Sequence, residues 1–155
     1  MRYSIDTSAI LDGWRRHYGP DVFPVIWDKL DELINNGELR ATEEVLSELE
    51  KKDDSVFDWA KDRPQLFVPI DAQIQQIVAS ILEDYERLVD TRKNRTSADP
   101  FVIALAQINN ACVVTGEHLS NNLDKPNIPD VCEALGIRYI NFFTLIKEQG
   151  WVFNT

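Results

Sequence analysis

Four acids stand in settings where a carboxylate must be compensated: Asp6 in "SIDTSAIL", Glu48 in "EVLSEL", Asp99 in "SADPFVIALA" and Glu117 in "VVTGE". A carboxylate among apolar neighbours loses water, so it finds donors or a cation, or its pKa rises. Like-charged carboxylates gathered at one place repel one another unless a cation intervenes, and an all-oxygen donor set is what Mg2+ or Mn2+ prefers. A metal held in this way lowers the pKa of a bound water and polarises a phosphoryl oxygen. With a second metal about 4 Å away it also stabilises a leaving oxyanion. Hydrolysis of a phosphodiester fits that equipment.

The elements that must bring these acids together alternate along the chain. Tyr3 to Ile5 reads as a short strand and Thr7 to Leu11 as a short helix. From Asp21 to Asn35, Phe23, Ile26, Trp27, Leu30, Leu33 and Ile34 recur at three and four residue spacing, with Asn36-Gly37 as the stop. Leu39 to Ala41 is a short strand, Thr42 caps a helix to about Lys52, and a further helix spans about Val56 to Lys61. Leu66 to Pro69 is extended. A long helix follows from Asp71 to about Val89, with Ile74, Ile77, Val78, Ile81, Tyr85 and Leu88 on one face. The polar run from 90 to 96 is a loop. Asp99 to Asn109 is apolar around its whole circumference, the mark of a helix buried on several sides. Ala111 to Val114 suits a buried parallel strand, and after a polar loop come a helix from Asp130 to Leu135, a strand from Ile137 to Ile140 and a helix from Asn141 to Gln149. This order predicts one three-layer α/β/α domain over residues 1–155, with a mainly parallel central sheet of about four or five strands.

In open α/β sheets ligands bind beyond the carboxyl ends of the strands, where strand order reverses. Asp6 and Glu117 both fall at such ends. Asp99 precedes Pro100 at the start of the buried helix, where an N-cap role is the competing reading. On the helix of "TEEVLSELEKK", Glu48 borders the apolar face set by Val45, Leu46 and Leu49 while Glu44 points further out; Glu43 and Glu50 border the other side, so the wheel leaves several choices.

At 155 residues and 44% hydrophobic, the chain is long enough for one core. It contains no run of about eighteen apolar residues and no basic start followed by an apolar stretch, so a soluble, cytoplasmic protein is expected, with no membrane association. Cys112 and Cys132 sit in apolar settings without metal-ligand spacing and read as packed thiols. The balance of 26 acids against 16 Lys and Arg argues against binding nucleic acid through bulk charge. It does not argue against a nuclease whose positive charge is a metal plus a few local cations. Two basic clusters exist, Arg15-Arg16-His17 and Arg92-Lys93-Asn94-Arg95. A dehalogenase-type phosphatase needs an acid two residues after its strand-end aspartate, and Ser8 occupies that position. There is no Walker loop and no dinucleotide fingerprint. His17 and His118 lack zinc-helix spacing and read as loop histidines, with His118 beside Glu117 the one placed to approach a substrate.

The strand-Asp-Thr-Ser start at Asp6, "EVLSEL" with Glu48, "SADPFVIALA" with Asp99 and "VVTGE" with Glu117 together resemble the four acidic motifs of the PIN domain family. "VFPVIWDKLDELINNGEL" and "NIPDVCEALGIRYINFFTLIKEQGW" resemble an uncharacterised PIN-like subfamily, so the resemblance covers nearly the whole chain. It implies a Mg2+- or Mn2+-dependent endoribonuclease leaving 5′-phosphate and 3′-hydroxyl ends, of the kind found as VapC-type toxins of bacterial toxin–antitoxin pairs. By the same resemblance Asp6, Glu48, Asp99 and Glu117 are the catalytic and metal-binding acids, and Thr7, Ser8 and Thr115 supply supporting hydroxyls. Glu117 takes a place where the broad family more often has Asp. Asn121, Asn122 and Asp124 follow in the adjacent loop. Arg92, Lys93 and Arg95 are the expected RNA contacts, and a protein antitoxin and a homodimer the expected partners. The competing class is a PIN-like module that binds protein or RNA without cleaving it.

Overall fold

A computed structural model describes residues 1–89 and 98–153. Five strands, β1 (Tyr3–Ile5), β2 (Leu39–Thr42), β3 (Phe67–Val68), β4 (Cys112–Val114) and β5 (Tyr139–Ile140), form one sheet in the order β3-β2-β1-β4-β5, and every neighbouring pair is parallel. The register sets Tyr3 opposite Leu39 on one side and opposite Cys112 on the other. β1 is central and wholly buried, so its one polar residue, Ser4, is buried too and satisfies its hydroxyl by donating to the Val102 carbonyl at 2.8 Å.

The helices are α1 (Thr7–Leu11), α2 (Pro24–Asn35), α3 (Glu43–Lys52), α4 (Asp54–Lys61), α5 (Ala72–Asp84), α6 (Asp99–Asn109), α7 (Ile128–Leu135) and α8 (Phe142–Glu148). Right-handed crossovers decide their layers. The chain steps outward from β1 to β2 to β3, carrying α1 to α4 over one face. It then returns across the sheet to β4 and on to β5, which puts α5, α6 and α7 on the other face. α6 lies against β1, β2 and β4 and is covered in turn by α5 and α7. That position explains its apolar circumference, with Val102, Ile103, Ala104, Leu105 and Ala106 all buried. After β5 the chain returns to the first face, where the Phe142 ring of α8 meets Trp27 of α2 and Tyr18. Gly13 makes room there, since a Cβ at that position would lie 2.8 Å from the Phe142 ring.

The alternation and the parallel sheet are as the sequence predicts, with local differences that include three at helix ends. The helix expected from Asp71 to about Val89 ends at Asp84; Tyr85 leaves the helical region at φ −134°, ψ 60°, and a 3-10 turn over Glu86–Leu88 delivers Leu88 into the core, where it is fully buried. Periodicity persists across that break because both pieces bury their apolar residues. The seventh helix begins at Ile128, two residues before the expected Asp130. Asn127 and Asp130 form a reciprocal capping box that places Pro129 in the first turn. Thr42 does precede α3, but its hydroxyl makes no cap bond.

Candidate metal centre

β1 and β4 are adjacent in space but far apart in sequence, and the reversal of strand order falls between them. Asp6 follows β1, and its N–H donates to the Val114 carbonyl at 2.8 Å, tying the two strand ends together. Glu117 leaves the end of β4 three residues on. Asp99 enters from above, at the first turn of α6. One carboxylate oxygen from each of Asp6, Asp99 and Glu117 lies within 4.8 Å of the others. Asp6 and Asp99 are only 2% and 4% exposed, and Glu117 is half-buried.

Hydroxyls hold this group in place. Ser8 donates to Asp6 Oδ2 at 2.5 Å and Thr115 donates to the same oxygen at 3.1 Å. The Gly116 N–H donates to the Ser8 hydroxyl and the Glu117 N–H to that of Thr115. Glu117 Oε1 accepts from the Ile128 N–H at 3.1 Å, at the start of α7. Burial pushes the Asp6 carboxyl above the usual carboxylate range, although the Ser8 and Thr115 hydroxyls and the N–H groups of Thr7 and Ser8 oppose the shift.

Glu48, 6% exposed, is not one of the trio; Thr7, the residue after Asp6, donates to its Oε1 at 2.9 Å. Of the acids on α3, Glu48 is the buried one. Glu44 is half-buried, Glu50 is exposed, and Glu43 turns away to accept from the Ile70 N–H. The N-cap reading of Asp99 is also corrected, because Ala98 is the cap and Asp99 is the first helical residue. Arg92, Lys93 and Arg95 lie outside the described residues.

Two acids escape sequence reasoning. Asp12 stands one helical turn beyond Ser8, and both press on Gly116; a Cβ there would collide with Asp12 Oδ2 and sit 3.2 Å from the Ser8 carbonyl. The i, i+4 spacing to Ser8 is its only sequence signal. Asp130 clamps the loop that carries Glu117. Its carboxylate accepts from the N–H groups of Ser120, Asn121 and Asn127 and from the Ser120 hydroxyl, at 2.8 to 3.1 Å. Asn121 adopts a left-handed φ of 60° within this clamp, and Asn122 and Asp124 bond only within the loop, so these three shape the segment. His118 borders two cavities discussed below. Cys112 and Cys132 are buried free thiols, and burial pushes Cys132 up to about 12.

Three carboxylates this close, two of them buried, repel unless a cation or proton lies between them. Their hard, all-oxygen donor set fits Mg2+ or Mn2+ and offers no soft ligand. The residues present therefore suit a divalent ion.

The five-stranded parallel sheet, with acids gathered where its strand order reverses, defines an α/β protein of PIN-like fold. The chain belongs to the family described as "Domain of unknown function (DUF4411)", whose model matches residues 3–153. Among solved structures it is similar to VapBC2 from Rickettsia felis, bound to a DNA fragment from their promoter. The identity is 17% and the TM-score 0.58, over 92% of this chain and 99% of that one. No curated protein matches the sequence.

Proposed function

We propose that this protein is a divalent-metal-dependent endoribonuclease that hydrolyses RNA phosphodiester bonds and serves as the toxin of a bacterial toxin–antitoxin pair. The observation that carries the catalytic part is the convergence of Asp6, Asp99 and Glu117 within 4.8 Å at the sheet's carboxyl edge. Asp6, Asp99 and Glu117 would hold Mg2+ or Mn2+, with Glu48 completing the site. Bound there, the ion supplies a more acidic water and positive charge against the phosphoryl group. The chain's own groups do the positioning. Ser8 and Thr115 orient the Asp6 carboxylate, Thr7 orients Glu48, and the Ile128 N–H orients Glu117. Burial of Asp6, Glu48 and Asp99 limits water around the charges, which strengthens their interactions. Arg92, Lys93 and Arg95 would meet RNA phosphates, each contact steepening the salt dependence.

The toxin assignment is supported by the likeness to the VapBC2 structure, and implies a small antitoxin encoded nearby and a homodimer. Among the described residues no helix is long and apolar enough to cross a membrane. The test is incubation of mixed single-stranded RNA with Mn2+, with and without EDTA, beside Asp6→Asn and Asp99→Asn. Wild-type protein should yield fragments with 5′-phosphate ends that EDTA and both substitutions abolish. Intact RNA in every lane would leave a non-cleaving binding module as the better reading.

A further inference from the structure

Next to the acid trio, the sequence Asp12 to Tyr18 and the start of α8 enclose a cavity of about 320 Å³. Five ring side chains, His17, Tyr18, His118, Phe142 and Phe143, line it together with Asp12 and Asn141. Among them the buried Phe142 ring stacks on Tyr18 at 5.6 Å and 22°, giving the cavity an aromatic floor. Phe143 is 54% exposed. Gly116 is also part of the wall, so the cavity begins one residue from Glu117. A second cavity of about 400 Å³ shares Gly116, His118 and Asn141 and includes Glu117 itself, so the two adjoin across His118 beside the acid site.

The chemistry of this lining is specific. Planar rings around a concave space of this size suit a flat, aromatic guest. Single-stranded RNA offers such guests, because its bases splay out and stack on Tyr, Phe and His side chains. Asp12 contributes only acceptors; a carboxylate accepts freely from an exocyclic amino group, whereas uracil offers only its ring N3–H, flanked by two carbonyl oxygens that repel the carboxylate. Cations stand at the rim. Arg16 is exposed, 3.8 Å from Asp12 Oδ1, and Lys147 Nζ lies 5.6 Å from the centre of the Phe143 ring. Arg15, by contrast, is committed to Asp53 at 2.7 Å and to the Lys52 carbonyl.

We propose that this cavity holds one nucleobase of the RNA strand, stacked among His17, Tyr18, His118 and Phe143 and donating an exocyclic amino group to Asp12, while Arg16 and Lys147 meet the flanking phosphates. The assignment of RNA rests on the proposed ribonuclease reading; the preference for an amino-bearing base is independent of whether the strand is cut. Adenine, cytosine or guanine then fits, and uracil is disfavoured beside the carboxylate.

The test is fluorescence anisotropy of end-labelled eight-residue oligo(A), oligo(C) and oligo(U) RNAs in EDTA, with the full chain and with Phe143→Ala, Phe143→Tyr, His118→Ala and Asp12→Asn. Oligo(A) or oligo(C) should bind more tightly than oligo(U). Losing one stacking ring should weaken binding by about tenfold, Phe143→Tyr should retain it, and Asp12→Asn should narrow the gap between oligo(C) and oligo(U). Equal affinities for all three RNAs, or no change in Phe143→Ala and His118→Ala, would overturn the proposal, as would the absence of any RNA binding. Base-selective binding without cleavage in Mn2+ would leave the cavity assignment standing and remove the nuclease reading. Cleavage in Mn2+ without base selectivity would do the reverse.

Discussion

At Asp6 burial and hydrogen bonding pull in opposite directions, and burial prevails. The folded carboxyl therefore binds its proton more tightly than the unfolded one. The sign for stability follows: with the folded pKa raised, the metal-free protein loses stability as pH rises from the ordinary carboxylate range through the raised value, and the loss is complete above it. In EDTA, wild-type melting temperature should fall over that window. Asp6→Asn should flatten the fall and melt higher at neutral pH, by about 2–4 °C for each 1 kcal/mol recovered. Melting curves across this pH range check it; a variant less stable than wild type at neutral pH would make Asp6 a structural acceptor instead. At this scale the sequence is informative where an acid abuts a strand end or a helix start, as Asp6, Asp99 and Glu117 do. It is silent on Asp12, whose role depends on Gly116 arriving from a strand more than a hundred residues away.

At the scale of elements, the loop between β4 and α7 is organised by Asp130. Burial pushes that carboxyl up, but the N–H groups of Ser120, Asn127 and Asn121 and the Ser120 hydroxyl outweigh it and hold it low. Its contribution is present above the ordinary carboxylate range and lost as pH falls through the lowered pKa. Asp130→Ala should cost about 1–3 kcal/mol through the donors left without their acceptor. It should also reduce the melting protection that Mn2+ gives, because Glu117 and Ile128 bracket the loosened segment. Thermal melts with and without Mn2+ measure both, and full protection in the variant would show that the clamp does not hold Glu117. Most helices were legible here because they bury a periodic apolar face, while α6 and β4 stood out as continuous apolar runs buried on all sides. Asn127-Ile128-Pro129-Asp130 also carried a capping pattern, but the pattern does not reveal that the same carboxylate gathers the preceding loop. The break at Tyr85 was hidden for the opposite reason, since its two pieces share one apolar stripe.

At the scale of the molecule, topology turns scattered acids into a cluster. A chain that leaves β1 in one direction and returns to β4 on its other side brings Asp6 and Glu117 to adjacent strand ends, and the return crossover delivers Asp99. The alternating pattern implied a parallel sheet and hence acids at one edge; strand order, which fixes β1 beside β4, is a property of the whole packing and is not written in any segment. A formal charge of −10 is compatible with a nucleic-acid enzyme in which a cation works at that edge. Calorimetric titration of Mn2+ into wild-type protein, Asp6→Asn and Asp99→Asn tests this most directly. Saturable binding to wild type, weakened at least about tenfold in each variant (roughly 1.4 kcal/mol), is the predicted result. No saturable binding to wild type, or equal affinity in all three proteins, would contradict a metal centre built from these acids.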